Sequence, residues 1–332
     1  MAGPLCGPFS LVHIIFVGMI LAMACDFASI TTPFRMQPGM RRLSAGTQQL
    51  TPNAPGDPAL REKLGVLNAH AAQALLRAPG FDARPAMQAL SAQAAAEHPE
   101  AWSHGEDVHA HRLGWSLQNN DPQAHSNALP EIGACLRGLP PEWRLPALLS
   151  LAFAEDFAVI DGHTAHIPWM AVCLPSQWAP EEKIGRHFAQ VHAPVADNQL
   201  LITASAHLAR MVTGDERWER FVWTITRHPH LHAHPSRVAH APWPLDATPD
   251  QLAQHAFFRT EHQTFIPLPA SRQAVFTIHV QVQPLTRALP NATDGRQVHD
   301  ALASMSPAVL AYRGLTDARD RLLVWLSTQA RA

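Results

Sequence analysis

Two groups of side chains in this sequence have the types and spacing to do chemistry. The first is a lone imidazole, His192, near the end of the segment SQWAPEEKIGRHFAQVHAPV at 176–195. Ser176 is an N-cap type, Pro180 suits a first helical turn, and Glu181 and Glu182 place negative charge at the positive end of a helix. Ile184, Phe188 and Val191 follow at helical spacing, which predicts a short amphipathic helix over 180–192. Pro194 disfavours helical geometry at Ala193, so the helix should stop at His192. A histidine left before a forced turn can aim a ring nitrogen into a neighbouring pocket, where it could bind a metal or a heme iron. It can also simply cap its own helix, and the residues leave both readings open.

The second group lies on a predicted strand at 257–268. Side chains alternate along a strand, so Arg259, Glu261 and Gln263 share one face and Thr260, His262 and Thr264 share the other. Neither face is an obvious core surface. A solvated face is the common explanation, but two polar faces on one strand suggest that one of them lines a cavity with a few convergent polar groups. Arg259 could then donate hydrogen bonds to a polarised ligand such as dioxygen, and Glu261 could hold a cationic substrate. The alternating histidines His228, His230, His232 and His234 read as a loop with incidental metal affinity, since no carboxylate or cysteine completes the set and prolines flank it. H-E-x-x-H, G-x-S-x-G, P-loop and G-x-G-x-x-G motifs are absent.

Several elements must position these groups. Helical spacing predicts helices over 58–76, 84–96, 143–151, 200–212, 297–305 and 316–329. Residues 100–128, rich in His, Asn, Asp and Gln, are expected to form loops with one short helix. FAEDFAVI at 153–160, the turn Asp161–Gly162 and AHIPWMAVCL at 165–174 predict a β-hairpin, with Pro168 at its edge or a bulge. Further strands are expected at 221–226, 257–268 and 273–282. The middle therefore runs strand, strand, helices, strand, strand, strand. That order predicts an α+β fold, a PAS-like antiparallel sheet with a helical insert, flanked by N-terminal and C-terminal helices. PAS domains hold ligands between the insert helices and one sheet face.

Composition narrows the class. The chain has 332 residues, 47% of them hydrophobic and 16% charged, with a net charge of -2. That suits a globular protein and gives no reason to expect nucleic acid as a partner. The four cysteines, Cys6, Cys25, Cys135 and Cys173, form no C-x-x-C pair, which is the usage of a reducing compartment and predicts a cytoplasmic protein. The apolar run LVHIIFVGMILAMA at 11–24 is short for a membrane span and is preceded by no Lys or Arg. Residues 1–30 are read as an apolar lead or a mis-assigned start, with a cleaved signal as the alternative, and residues 31–330 as a single domain.

Beyond these readings, a set of segments resembles one family. PFRMQPGM at 33–40, AEDFAVI, VCLPSQWAPEEKIG and VHAPV within 154–195, ERFVW at 219–223, and FRTEHQTFIPLP with AVFTIHV within 258–280 are similar, in the same order, to the alpha subunit of the heme-dependent oxidative N-demethylases. The resemblance ends near Tyr312–Gly314. It implies a PAS-fold heme protein that oxidises a small secondary amine, dimethylamine in the characterised type, using dioxygen. Electrons would come from NADPH through a flavin/iron-sulfur reductase partner, and formaldehyde would leave on a folate-binding subunit. Under the resemblance His192, matching the family's I-H-x-P-V segment, would be the axial ligand. Arg259, Glu261 and Gln263, matching its R-x-E-x-Q-T strand, would line the distal pocket. Lys183 and Arg186 are our own candidates for neutralising heme propionates. The chain departs from the family pattern at His262, where arginine is usual, at Ala196 and at Val222. A non-catalytic heme sensor or carrier with the same pocket is the alternative function, and a protein whose polar strand is merely buried structure is a third.

Overall fold

The computed structural model describes residues 26–239 and 242–330. The apolar run at 11–24 lies outside them. Two short strands, β1 (Arg41–Arg42) and β2 (Leu75–Arg77), come early in the chain. β3 (Trp102–His104), β4 (Val108–Ala110), β5 (Trp115–Gln118) and β6 (Asp121–Ala124) form a four-stranded antiparallel sheet. β7 (Asp156–Asp161), β8 (Trp169–Ala171), β9 (Trp218–Thr226), β10 (Phe257–Leu268) and β11 (Gln273–Pro284) join β1 and β2 in a larger antiparallel sheet of order β1-β9-β10-β11-β7-β8-β2.

The helices fall into three groups. α1 (Pro58–Ala74), α2 (Arg84–Glu97), α3 (Pro130–Gly138) and α4 (Pro141–Ala152) precede the central strands. α5 (Phe188–His192) and α6 (Gln199–Val212) are inserted between β8 and β9. α7 (Pro249–Gln254) precedes β10, and α8 (Leu285–Ala288), α9 (Ala292–Ala303), α10 (Pro307–Tyr312) and α11 (Arg319–Gln329) follow β11. The expected order of strands, insert helices and strands is therefore observed, as are the long helices at either end.

The hairpin β10–β11 is the backbone of the site. Its register runs unbroken from Phe257↔Pro284 to Leu268↔Gln273, closed by a 3₁₀ turn at Pro269–Ser271 and by Arg272 in the left-handed region (φ 48°). Side chains on both of its faces are buried. Behind the sheet, α1 to α4 pack a core around Trp102, Trp115, Phe153, Phe157 and Trp169. The C-terminal helices pack a second core around Trp223, Phe258 and Trp325. α1 carries an unusual member of the first core: Lys63 is fully buried between Leu60 and Val66. Its Nζ donates to the carbonyls of Phe153 (3.0 Å) and Glu155 (2.6 Å) and lies 3.3 Å from Asp156 Oδ1.

Two expectations are corrected. Residues 100–128 contain the sheet β3–β6 and no helix. Those strands are three or four residues long, too short for an alternating pattern to stand out from the polar background. The signal that marks them is the pair Asn119–Asn120, both at positive φ (49° and 65°), which forms the two-residue turn between β5 and β6. The predicted helix at 180–192 is also not continuous. It breaks into a 3₁₀ turn, Pro180–Glu182, and the five-residue α5. Gly185 at φ +68° turns the chain between them, a conformation glycine adopts without steric cost. His187, not Ser176, is the N-cap of the part that ends at His192: its Nδ1 accepts from the Ala189 N–H, and Gln190 completes a capping box.

Candidate functional site

A cavity of about 310 Å³ lies between one face of the large sheet and the insert helices, in the size class of small-molecule and cofactor sites. Ala158 and Ile160 of β7, Phe276 and Ile278 of β11, and Phe265 of β10 give the sheet wall its apolar part. Phe188 and Val191 of α5, with Leu201, Leu208 and Val212 of α6, face them. Helical spacing explains the second set: α6 buries Leu201, Ser205, Leu208, Ala209 and Val212 along one stripe.

His192 lines this cavity as the last residue of α5. Its Nδ1 is 2.9 Å from the Phe188 carbonyl oxygen. A carbonyl only accepts, so Nδ1 carries the proton and Nε2 of the neutral ring keeps its lone pair. Burial pulls the pKa of His192 down to about 4, with the Phe188 hydrogen bond opposing and the charges of Arg220 and Lys183 assisting. One ring nitrogen thus caps its own helix, and the other keeps its lone pair. A metal-ligating histidine commonly donates its second N–H to a backbone carbonyl in this way, which fixes ring orientation and raises ligand basicity.

The sheet wall carries Arg259, Glu261 and Gln263, all three lining the cavity. Gln263 Nε2 donates to Glu261 Oε2 and so orients the carboxylate. Arg259 is more heavily committed than its residue type suggests. Nε donates to Ser176 Oγ (2.8 Å), and the two terminal nitrogens donate to the His230 (3.0 Å) and Leu231 (2.6 Å) carbonyls. Glu62 accepts from the backbone N–H groups of Leu231 and His232. The alternating-histidine loop is therefore held by its backbone, and His234 is buried with Nε2 3.1 Å from Glu181 Oε1. Among the propionate candidates, Lys183 lines the cavity, its Nζ donating to the Val191 carbonyl (3.0 Å). Arg186 does not: it is exposed, next to the Gly185 turn in the chain.

The opposite face of β10 is a buried polar seam. His262 stacks on Phe221 (ring centroids 4.3 Å apart, 9° between planes) and its Nε2 meets Glu219 Oε2 at 2.7 Å. Thr264 Oγ1 shares a hydrogen bond with Thr277 Oγ1 (2.7 Å), and His279 Nδ1 lies 3.0 Å from Glu155 Oε1. The polar character of both strand faces thus has two causes, a cavity in front and a hydrogen-bonded seam behind.

Arg220, Tyr312 and Arg313 line the cavity although sequence reasoning gave them no site role. Arg220 sits on β9 directly opposite Gln263. Its alternation with Val222 and Thr224 was available in the sequence, but its pairing partner was not. Tyr312 and Arg313 come from the end of α10, and only tertiary packing brings them to the sheet. Arg313 donates to the Trp223 carbonyl and lies over the rings of Phe34 (4.5 Å) and Trp223 (5.5 Å).

The chemistry of the lining residues suits a heme. Porphyrin iron asks the protein for one or two axial ligands, and His192 offers a neutral imidazole nitrogen to an apolar-walled cavity. Among the described residues no three His, Cys, Asp or Glu side chains converge as a cage for a bare ion. Among its described residues the wall also carries four cationic side chains, Lys183, Arg220, Arg259 and Arg313, against one carboxylate, Glu261. That excess suits a ligand bearing negative propionates. The family described as haem-dependent oxidative N-demethylase, alpha subunit-like, matches residues 62–323. The chain belongs to this family. The N-demethylase alpha-subunit-like match spans α1 through the first half of α11 and so contains every cavity residue except Met36, Pro38 and Met40. No curated protein matches the chain at a significant level. The family is heme-dependent and its alpha subunit implies other subunits; among the described residues no helix is long and apolar enough to cross a membrane.

The depressed pKa of His192 has a stability consequence. The unfolded chain binds a proton at this ring near pH 6.5, whereas the folded chain resists it down to about pH 4. The stabilising contribution is present above about pH 6.5 and lost as pH falls through that window. Denaturant midpoints of the heme-free protein should fall between pH 7 and pH 4.5. In His192→Gln protein that slope should be shallower, and an unchanged slope would remove His192 as a contributor.

Proposed function

We propose that this chain is the heme-binding subunit of an oxygen-dependent amine N-demethylase. The observation that carries the reading is the His192 ring, locked through Nδ1 by the Phe188 carbonyl with Nε2 left to a cavity whose sheet wall bears Glu261. The topology supports a PAS-like framework: the five central strands stand in the spatial order second, first, fifth, fourth, third, with the helices inserted after the second. One such domain would span 31–330, in the cytoplasm, where the free buried thiols of Cys135 and Cys173 would be at home.

Heme, when bound, supplies the redox chemistry by which dioxygen oxidises an N-methyl carbon. The protein's share is binding, orientation and water exclusion. His192 would hold the cofactor, and Lys183 would offset a propionate charge. Glu261 would accept an N–H of the protonated secondary amine, leaving a methyl group directed into the cavity. Gln263 keeps that carboxylate in place by its own hydrogen bond. Arg259 acts at one remove, fixing the loop at 230–231 and the Ser176 segment that wall the site. Trp178, Phe188, Phe265 and Phe276 keep the pocket dry, which strengthens the Glu261–ammonium attraction. Electrons from NADPH through a flavin/iron-sulfur partner, and a folate-binding partner for formaldehyde, complete the scheme.

Purified protein should take up heme with a Soret band and, given a reductant and oxygen, release formaldehyde from dimethylamine. A heme sensor or carrier would show the band without turnover. Replacing Glu261 with Gln keeps the shape of the side chain and removes its charge. Amine affinity, read as a spectral shift of the heme-loaded protein, should then drop about tenfold or more, the worth of a hydrogen bond to a charged group. Heme content should not change. An E261Q protein that binds the amine as tightly as the parent would take the ammonium away from this carboxylate.

A further inference from the structure

Three of the four cations on the cavity wall already have partners. Lys183 is bound to the Val191 carbonyl, Arg259 to Ser176 and the carbonyls of His230 and Leu231, and Arg313 to the Trp223 carbonyl. Arg220 differs from all of them. Its Nε is buried without a hydrogen-bond partner, and the Glu261 carboxylate acts on it only through its charge. A guanidinium has five N–H donors and no acceptor, and a charge withdrawn from water without a partner is costly. β9–β10 pairing sets Arg220 opposite Gln263, on the same sheet face as the Val222↔Glu261 pair. A charge-assisted donor fork thus stands near Glu261, the one carboxylate among the described wall residues, and interacts with it by charge alone.

We propose that Arg220 is the anchor for a carboxylate bound inside the cavity, the group whose two oxygens match a guanidinium fork. The anchor deepens the heme-dependent amine oxidation proposed above and rests on it for the source of the carboxylate. Two sources share this chemistry. One is a propionate of the heme. The other is the substrate: an N-methylated amino acid would place its ammonium on Glu261 and its carboxylate on Arg220, two groups that neighbouring strand positions hold close together.

Two paired titrations of wild-type, Arg220→Gln and Arg220→Lys protein separate the sources. The first compares heme with heme dimethyl ester, whose propionates carry no charge. The second compares N-methylglycine with dimethylamine by calorimetry on the purified protein. If a propionate is held, R220Q loses about tenfold or more in affinity for heme and little for the ester. If the substrate is held, R220Q loses a similar factor for N-methylglycine and little for dimethylamine. R220K, which keeps the charge but not the fork, should fall between in whichever arm responds, and it decides the matter if R220Q does not fold. Folded variants that leave both ratios unchanged would overturn the anchor. A wild-type protein that takes up no heme would defeat the heme-dependent reading instead, and the calorimetric pair would then decide the anchor alone.

Discussion

His192→Ala protein is expected to remain folded and to show no Soret band under conditions where the parent protein loads fully. The α5 helix does not depend on this ring for its start, because His187 and Gln190 form its capping box. The ring's Nδ1 hydrogen bond to Phe188 is local to the last turn, and losing it costs about 1 kcal/mol. Among the described wall residues His192 is the one imidazole that could hold the iron under the proposed function. Loss of an outer partner of a metal ligand typically costs 10–100-fold in affinity, and loss of the ligand itself should exceed that. A His192→Gly variant offers a sharper check: free imidazole diffusing into the vacated space should restore the band. Retention of the parental spectrum by H192A, or indifference of H192G to imidazole, would mean that the iron is held elsewhere.

The second large effect lies outside the cavity. Lys63→Met should lower stability by about 3–5 kcal/mol, the cost of stripping one partner from a buried ion pair. Lys63 is fully buried, donates to the Phe153 and Glu155 carbonyls, and faces Asp156 Oδ1 at 3.3 Å as its ion-pair partner. Asp156 is itself buried and receives the Leu174 N–H at 2.6 Å, and burial already raises its pKa. Methionine fills the space but leaves a carboxylate in a dry core. The urea midpoint should fall with the slope unchanged. Adding Asp156→Asn removes the orphaned charge while keeping an acceptor for Leu174, so the double variant should recover part of the loss. A single variant within about 1 kcal/mol of the parent would show that water reaches this pair.

These two sites bear differently on what could be read in advance. The β10–β11 hairpin was legible because each strand is long and bounded by a Pro-rich turn, and its alternation put Arg259, Glu261 and Gln263 on one face. α6 was legible because five buried positions repeat at helical spacing. The position of His192 at a helix end followed from Pro194 alone. By contrast, the continuous helix expected at 180–192 failed on a single glycine, Gly185, whose positive φ reverses the chain inside an otherwise helical pattern. Nothing in the spacing of the 58–76 helix marks Lys63 as buried, and Arg186 looked like a pocket cation.

By itself, then, the sequence determined which residues alternate, where helices and strands must stop, and through shared segments which family the chain belongs to. Those are local properties, set by backbone sterics and side-chain period within a few residues. Tertiary structure alone decided which polar groups meet. It buried Lys63 against carbonyls some ninety residues away, spent Arg259 on the histidine-rich loop, and left the Arg220 Nε without a hydrogen bond near Glu261. Whether a charged side chain is partnered, stranded or solvated depends on desolvation and on neighbours distant in sequence, and no period in the chain encodes that.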